Sequence, residues 1–227
     1  MFKRILIFPL ILILIFVSCF SVTANTANVF TKNTLAEKKV ALTFDDGPHP
    51  IYTSKIIELL EVYDITATFF VIGQNIANYP DAFKKLVESG CEIGNHTYHH
   101  KNLSDMSESD IRQELEMTEA AISSFSNIKP TLIRPPEGSF GKQLESVCIE
   151  KKYDVILWSI DTRDWEYASA DQISATVLKN IQNGDIILMH DYVSHGAHTY
   201  EALKIIIPLL ISKGYSFVSV SDLLYDE

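Results

Sequence analysis

Lys39-Val40-Ala41-Leu42-Thr43-Phe44-Asp45-Asp46-Gly47-Pro48 is the stretch whose reading decides the fold. Residues 39–44 are β-rich and almost wholly apolar rather than alternating. That is the pattern of a strand buried on both faces, as in a parallel sheet covered by helices. Two adjacent carboxylates and a Gly-Pro turn follow at once, so the strand ends in polar chemistry.

The same unit recurs along the chain. A helical pattern runs through Ile56, Ile57, Leu59 and Leu60, and Ile65 to Ile72 reads as a second strand, followed by a helix over Asp81 to Glu88. Glu92 to Gly94 begins a third strand, and a helix from Ser107 to Phe125 opens on a capping-box-like Ser107-x-x-Asp110. Leu132-Ile133 is a fourth strand with a helix over Lys142 to Lys152, and Asp154 to Ile160 is a fifth with a helix over Asp171 to Ile181. Asp185 to Met189 is a sixth, with a helix near Tyr200 to Ile211, and Tyr215 to Val220 a seventh. Seven such units predict an α/β chain, either closed like a barrel or open and doubly wound, and periodicity does not separate the two. With no internal repeat or low-complexity tract, residues 38–227 read as one domain and 25–37 as a short tether.

The 227 residues are 47% hydrophobic and 21% charged, which excludes a disordered chain. A formal charge of −10 argues against a grip on phosphate backbones, so no nucleic-acid partner is expected. Residues 1–24 stand apart: Lys3 and Arg4, an apolar run from Ile5 to Val17, then Val22-Thr23-Ala24. These features predict a secretory signal peptide cleaved after Ala24, and so an exported, cell-wall-associated protein. The run is shorter than a bilayer span and carries Pro9; an uncleaved anchor and a lipid at Cys19 are the alternatives. The exported chain keeps Cys91 and Cys148, expected as buried free thiols; without a C-x-x-C there is no thiolate metal site.

The unusual polar residues all follow strands. Asp45-Asp46 comes after the first, His96-Thr97-Tyr98-His99-His100 after the third, and Arg134-Pro135-Pro136-Glu137-Gly138 after the fourth. Asp161-Thr162-Arg163-Asp164-Trp165 follows the fifth and His190-Asp191 the sixth. Carboxyl ends of strands are where α/β barrels assemble active sites. His96 and His100 can converge on one ion if their loop makes a helical turn, with His99 pointing away. Asp45 and Asp46 supply an acidic partner, and a His2Asp site with open positions is the arrangement of a hydrolytic metal centre. Arg134 can hold a carboxylate in fixed orientation, Asp164 can orient His190, and Trp165 offers a flat apolar surface for a sugar or an acyl methyl.

In order, Thr43-Phe44-Asp45-Asp46-Gly47-Pro48, His96-Thr97-x-x-His100, Arg134-Pro-Pro-x-Gly138, Asp161-x-x-Asp164-Trp165 and Leu188-x-His190 resemble the five motifs of polysaccharide deacetylases with a NodB-homology domain, carbohydrate esterase family 4. The resemblance covers residues 38 to 222 and implies a deformed (β/α)7 barrel and a metal-dependent hydrolase removing acetyl groups from N-acetylated sugars. By position it implies Asp46, His96 and His100 as metal ligands, Asp45 as general base positioned by Arg134, and His190 as general acid tuned by Asp164. Trp165 and Leu188 would line the acetyl pocket, and the backbone N–H of Glu137 would meet the oxyanion. The implied metal is zinc, with cobalt or nickel as substitutes.

Glu137 departs from the aromatic residue many relatives carry there; its charge bears on substrate fit, against anionic glycans or toward a hydroxyl or amine. Cys91 stands where relatives often have histidine, and His195 and His198, after the sixth-strand motif, are expected in a solvated loop, with a substrate loop as the alternative. The expected partner is an N-acetylated glycan, first peptidoglycan N-acetylglucosamine, with N-acetylmuramic acid, chitooligosaccharides and O-acetylated xylan as alternatives, and no stable protein partner. A non-catalytic glycan-binding relative is the reading from a different class; it predicts a missing ligand or acid, and none is missing.

Overall fold

The computed structural model describes residues 26–166, 168–192 and 198–225. The expected signal peptide, its anchor and lipid alternatives, and His195 lie outside the described residues. In chain order the strands are β1 (Val29–Phe30), β2 (Lys39–Asp45), β3 (Thr68–Val71), β4 (Glu92–Asn95), β5 (Leu132–Ile133), β6 (Asp154–Ile156), β7 (Ile160–Asp161), β8 (Ile186–His190) and β9 (Ser216–Phe217). The helices are α1 (Tyr52–Val62), α2 (Gly73–Asn78), α3 (Pro80–Glu88), α4 (Glu108–Ser123), α5 (Lys142–Lys151), α6 (Ala170–Asn180), α7 (His198–Ser212) and α8 (Val220–Tyr225).

All strand pairings are parallel, in the order β1-β6-β5-β4-β3-β2-β8-β7, with β9 beside the start of β2. The fold is the curled α/β barrel that the resemblance implied. The strands depart from the sequence reading in two places. Residues 25–37, expected as a tether, supply β1, which pairs through Val29 and Phe30 with Val155 and Ile156. The expected fifth strand over Asp154 to Ile160 is two strands: β6 pairs with β5, β7 pairs with β8, and Leu157-Trp158-Ser159 crosses between them. One segment thus supplies strands near both ends of the curled sheet, β7 at one edge and β6 beside β1 at the other.

The break has a side-chain cause. Arg134 donates from Nε to the carbonyl of Ile156 at 3.1 Å and from Nη2 to that of Leu157 at 3.0 Å. Carbonyls that a neighbouring strand would have claimed are satisfied by a guanidinium instead, as buried backbone polar groups require.

The absence of alternation in β2 follows from its two buried faces. Val40, Leu42 and Phe44 belong to the outer core with Phe69, Val71, Ile187 and Met189, packed under α1, α3, α6 and α7. Ala41 lies inside the barrel with Phe70, Leu132, Ile156 and Ile186, and Val220 and Leu223 of α8 join that cluster. Helix α4 starts where Ser107 accepts the Asp110 N–H at 3.2 Å; α6 starts on a full capping box of Ser169 and Gln172. Cys91 and Cys148 are buried free thiols as expected, and burial pushes the Cys148 thiol up to about 12. Among the described residues no helix is long and apolar enough to cross a membrane.

Candidate active site

Parallel register brings the polar strand ends level with one another. Asp45 pairs with His190 across β2 and β8, Asp161 with Leu188 across β7 and β8, and Asn95, just before His96, with Ile133, just before Arg134. Five clusters far apart in sequence therefore share one rim. They surround a cavity of about 580 Å³ lined by Asp45, Asp46, His96, His100, Pro135, Glu137, Trp158, Asp161, Trp165, Leu188 and His190.

Asp46, His96 and His100 point their ligand atoms at one another, all within 4.8 Å. Nε2 of His96 lies 3.4 Å and Nε2 of His100 3.2 Å from Oδ1 of Asp46. The other nitrogen of His96, Nδ1, lies 2.6 Å from the carbonyl of Arg134, which fixes that ring as an Nδ1–H donor with the Nε2 lone pair facing the cluster. Asp46 Oδ1 is buried and has no hydrogen-bond partner. A buried acceptor facing two imidazole nitrogens, one of them presenting its lone pair, is what a cation would satisfy, so these residues fit a divalent metal. The imidazoles, more than offsetting burial, hold the Asp46 carboxyl well below the usual carboxylate range.

The convergence of the two histidines does not come from the helical turn that the sequence reading required. Residues 96–100 form a loop in which Thr97 (φ 65°) and His100 (φ 54°) take the left-handed conformation, rare for non-glycine residues. His99 does turn away: its Nδ1 lies 2.8 Å from Oε1 of Glu114.

Arg134 is wholly buried, at 0% exposure, which excludes a surface salt bridge for it. Its Nη1 donates to Asp45 Oδ1 at 2.8 Å and to Thr43 Oγ1 at 2.7 Å, and its guanidinium lies 4.3 Å from the centroid of the Phe70 ring. Asp45 is thereby fixed through Oδ1, leaving Oδ2 3.8 Å from His96 Nε2. On the neighbouring strand, Asp164 Oδ1 lies 2.7 Å from His190 Nδ1, while its Oδ2 accepts the His190 N–H at 2.8 Å and the Thr199 hydroxyl at 2.7 Å. Burial works against charge on His190, but the Asp164 hydrogen bond and charge outweigh it, and with Asp45 and Asp46 raise the imidazole to about 9.

Glu137, at φ 59° in the tight turn after β5, has its carboxylate held by Asn102 Nδ2 at 2.5 Å. Trp165 is 51% exposed at the cavity mouth, and Leu188 is buried in the cavity wall. His198 opens α7 and does not line the cavity.

Pro135, Trp158 and Asp161 line the cavity without a role assigned from sequence; Trp158 lies in the segment between β6 and β7, inside a run read as one strand. Asp191 is fully buried, its carboxylate accepting the Thr53 hydroxyl and lying where a Cβ on Gly47 would collide with it. Burial pushes Asp191 up to about 7. Its position directly after His190 was the available signal.

Comparison with known proteins bears on this arrangement. The family model for polysaccharide deacetylase matches residues 32–156. The chain belongs to the polysaccharide deacetylase family. A Bacillus cereus peptidoglycan-N-acetylglucosamine deacetylase is 38% identical over 190 residues, covering 83% of this chain and 89% of the relative. The Bacillus subtilis peptidoglycan-N-acetylmuramic acid deacetylase PdaC is 36% identical over 187 residues, 82% of this chain but only 39% of that protein. A crystal structure of a peptidoglycan N-acetylglucosamine deacetylase bound to a hydroxamate-type benzamide superposes with a TM-score of 0.84 at 35% identity, covering 89% of this chain and 94% of that one. Polysaccharide deacetylases are hydrolases of acylated sugars, and the Asp46, His96, His100 cluster is where this one offers a divalent-metal site.

Proposed function

We propose that this deacetylase is an exported enzyme that removes the acetyl group from peptidoglycan N-acetylglucosamine, with zinc held by Asp46, His96 and His100. The observation that carries the reading is the meeting, on the wall of one cavity, of a carboxylate fixed by Arg134, an imidazole charged by Asp164 and the orphan Asp46 oxygen. Two imidazoles and one carboxylate with open positions are the donor set of catalytic zinc. A divalent cation there supplies Lewis-acid polarisation of the acetamide carbonyl and acidifies a water.

The protein's own groups handle the protons. Asp45, anchored through Oδ1, takes the proton of the attacking water on Oδ2, and the Glu137 N–H donates to the developing oxyanion. His190, protonated because Asp164 holds Nδ1–H, delivers a proton from Nε2 to the sugar nitrogen. An amine is a poor leaving group without it. Trp165 and Leu188 flank the acetyl group and the sugar face.

N-acetylglucosamine is preferred over N-acetylmuramic acid because the solved N-acetylglucosamine deacetylase superposes with a TM-score of 0.84, against 0.76 for PdaC. The Glu137 carboxylate at the cavity mouth also opposes the lactyl carboxylate of an unsubstituted muramic acid. Export rests on residues 1–24.

The test is acetate release by purified residues 25–227 with added zinc, from intact peptidoglycan and from chitopentaose, with Asp45→Asn as blank. Release from peptidoglycan at glucosamine positions is expected. Release from chitopentaose alone would move the substrate to chitin chemistry, and release at muramic acid would overturn the sugar assignment. A metal-loaded protein inactive on both would favour an ester substrate or a binding role.

A further inference from the structure

The loop that carries both histidine ligands owes its shape to a residue outside the site. Glu114 lies in the middle of α4 and is 4% exposed, an uncommon place for a carboxylate without partners. Its partners are all on the loop. Oε2 accepts the backbone N–H of Tyr98 at 3.1 Å and of His99 at 2.8 Å, while Oε1 meets His99 Nδ1 at 2.8 Å and Lys101 Nζ at 3.3 Å.

Other backbone groups of this segment are held from α2 and β4. Gly73 and Gln74, at the start of α2, donate to the carbonyls of Thr97 and Tyr98 at 3.0 Å each. Asn95 Oδ1 accepts the Thr97 N–H at 2.8 Å, while Asn95 Nδ2 donates to the Leu115 carbonyl, one residue along α4 from Glu114. Thr97 Oγ1 accepts the His100 N–H at 3.1 Å. Left-handed non-glycine residues such as Thr97 and His100 persist only where the surroundings over-determine them. Glu114 supplies the acceptors for the two N–H groups lying between them.

We propose that Glu114 is a positioning residue for the metal site. It sets the affinity for the divalent cation by holding residues 97–100 in the conformation that turns His96 and His100 onto Asp46. The inference rests on reading Asp46, His96 and His100 as the ligand set. His99, between the two ligands, is the side chain by which the loop is tied back to α4. An acceptor-only group suits four donors; glutamine keeps one oxygen for the backbone N–H pair but turns an amide toward His99.

The experiment is zinc titration calorimetry on metal-stripped wild type, Glu114→Ala and Glu114→Gln, with melting temperatures and with kcat measured against zinc concentration. The wild type is expected to bind one zinc. Loss of a group that orients metal ligands costs 10–100-fold in affinity, and Glu114→Ala is expected in that range, with kcat recovering as zinc is raised to saturation. Glu114→Gln is expected to fall between the two. A wild-type zinc affinity in both variants, with only the melting temperature lowered, would overturn the proposal and leave Glu114 as a fold-stabilising residue. If Glu114→Ala does not fold, Glu114→Gln, which keeps the volume, decides by the same affinity comparison. A wild type that binds no zinc would remove the metal reading itself, an outcome distinct from unequal binding among the three.

Discussion

Asp45 and Asp46 show how one residue step separates two tasks. Strand alternation would send Asp46 away from Asp45, but Asp46 lies just past the end of β2 at φ 75° and turns back to the histidines, while Asp45 reaches the Arg134 guanidinium, so both line one cavity. Asp45→Asn should therefore keep its zinc, measured by metal analysis of the purified protein, while acetate release falls by about 10²–10⁴ for want of a base. Near-normal turnover would sink the base assignment. Asp164→Asn acts on the acid. The raised His190 pKa keeps the imidazolium populated up to about pH 9, and removing the Asp164 charge lets it fall toward the ordinary histidine value. The alkaline limb of kcat/KM should shift to lower pH in the variant, both profiles taken on zinc-loaded protein; an unmoved limb would separate His190 from the acid role. These residues were legible in sequence because each follows a strand end. How His96 and His100 converge was not, since left-handed φ values at Thr97 and His100 leave no compositional mark of the kind glycine would.

At the scale of elements, the strands could be read where they are buried on both faces and misread where a side chain intervenes. β2 and β8 match their apolar runs to within a residue or so. The run from Asp154 to Ile160 has equally good strand composition, yet its middle is claimed by Arg134, which lies twenty residues or more away in sequence and is invisible to local periodicity. β1 is hard to read because its two residues sit in a polar stretch and, unlike the equally short β5, precede no cluster of unusual polar residues. Arg134 thus holds the segment between β6 and β7 and anchors the base together. Arg134→Ala leaves the Asp45 carboxylate buried without its partner, and the carbonyls of Ile156 and Leu157 lose their donor. A destabilisation of about 3–5 kcal/mol by urea unfolding is expected, alongside loss of activity. Arg134→Lys should restore only part of either, because one ammonium cannot span Asp45, Thr43 and two carbonyls at once.

For the whole molecule, the parallel register decides function more than any single contact does. It levels the ends of β2, β4, β5, β7 and β8, so motifs spread over residues 45–190 meet at one mouth. Cation binding should then report on the entire barrel. Zinc at 100 times its dissociation constant contributes about 2.7 kcal/mol to the folded state, a rise of roughly 5–10 °C in melting temperature for a domain of this size. EDTA should reverse it and abolish acetate release. A melting curve indifferent to both would contradict a metal site built into the fold. The chain has two tryptophans, Trp158 and Trp165, and both stand on the wall of the same cavity. Its indole emission is therefore a native optical probe of that cavity alone: an acetylated sugar displacing water from the two rings should change intensity and wavelength without a label. Trp158→Phe and Trp165→Phe would divide the signal between the β6–β7 segment and the exposed lip.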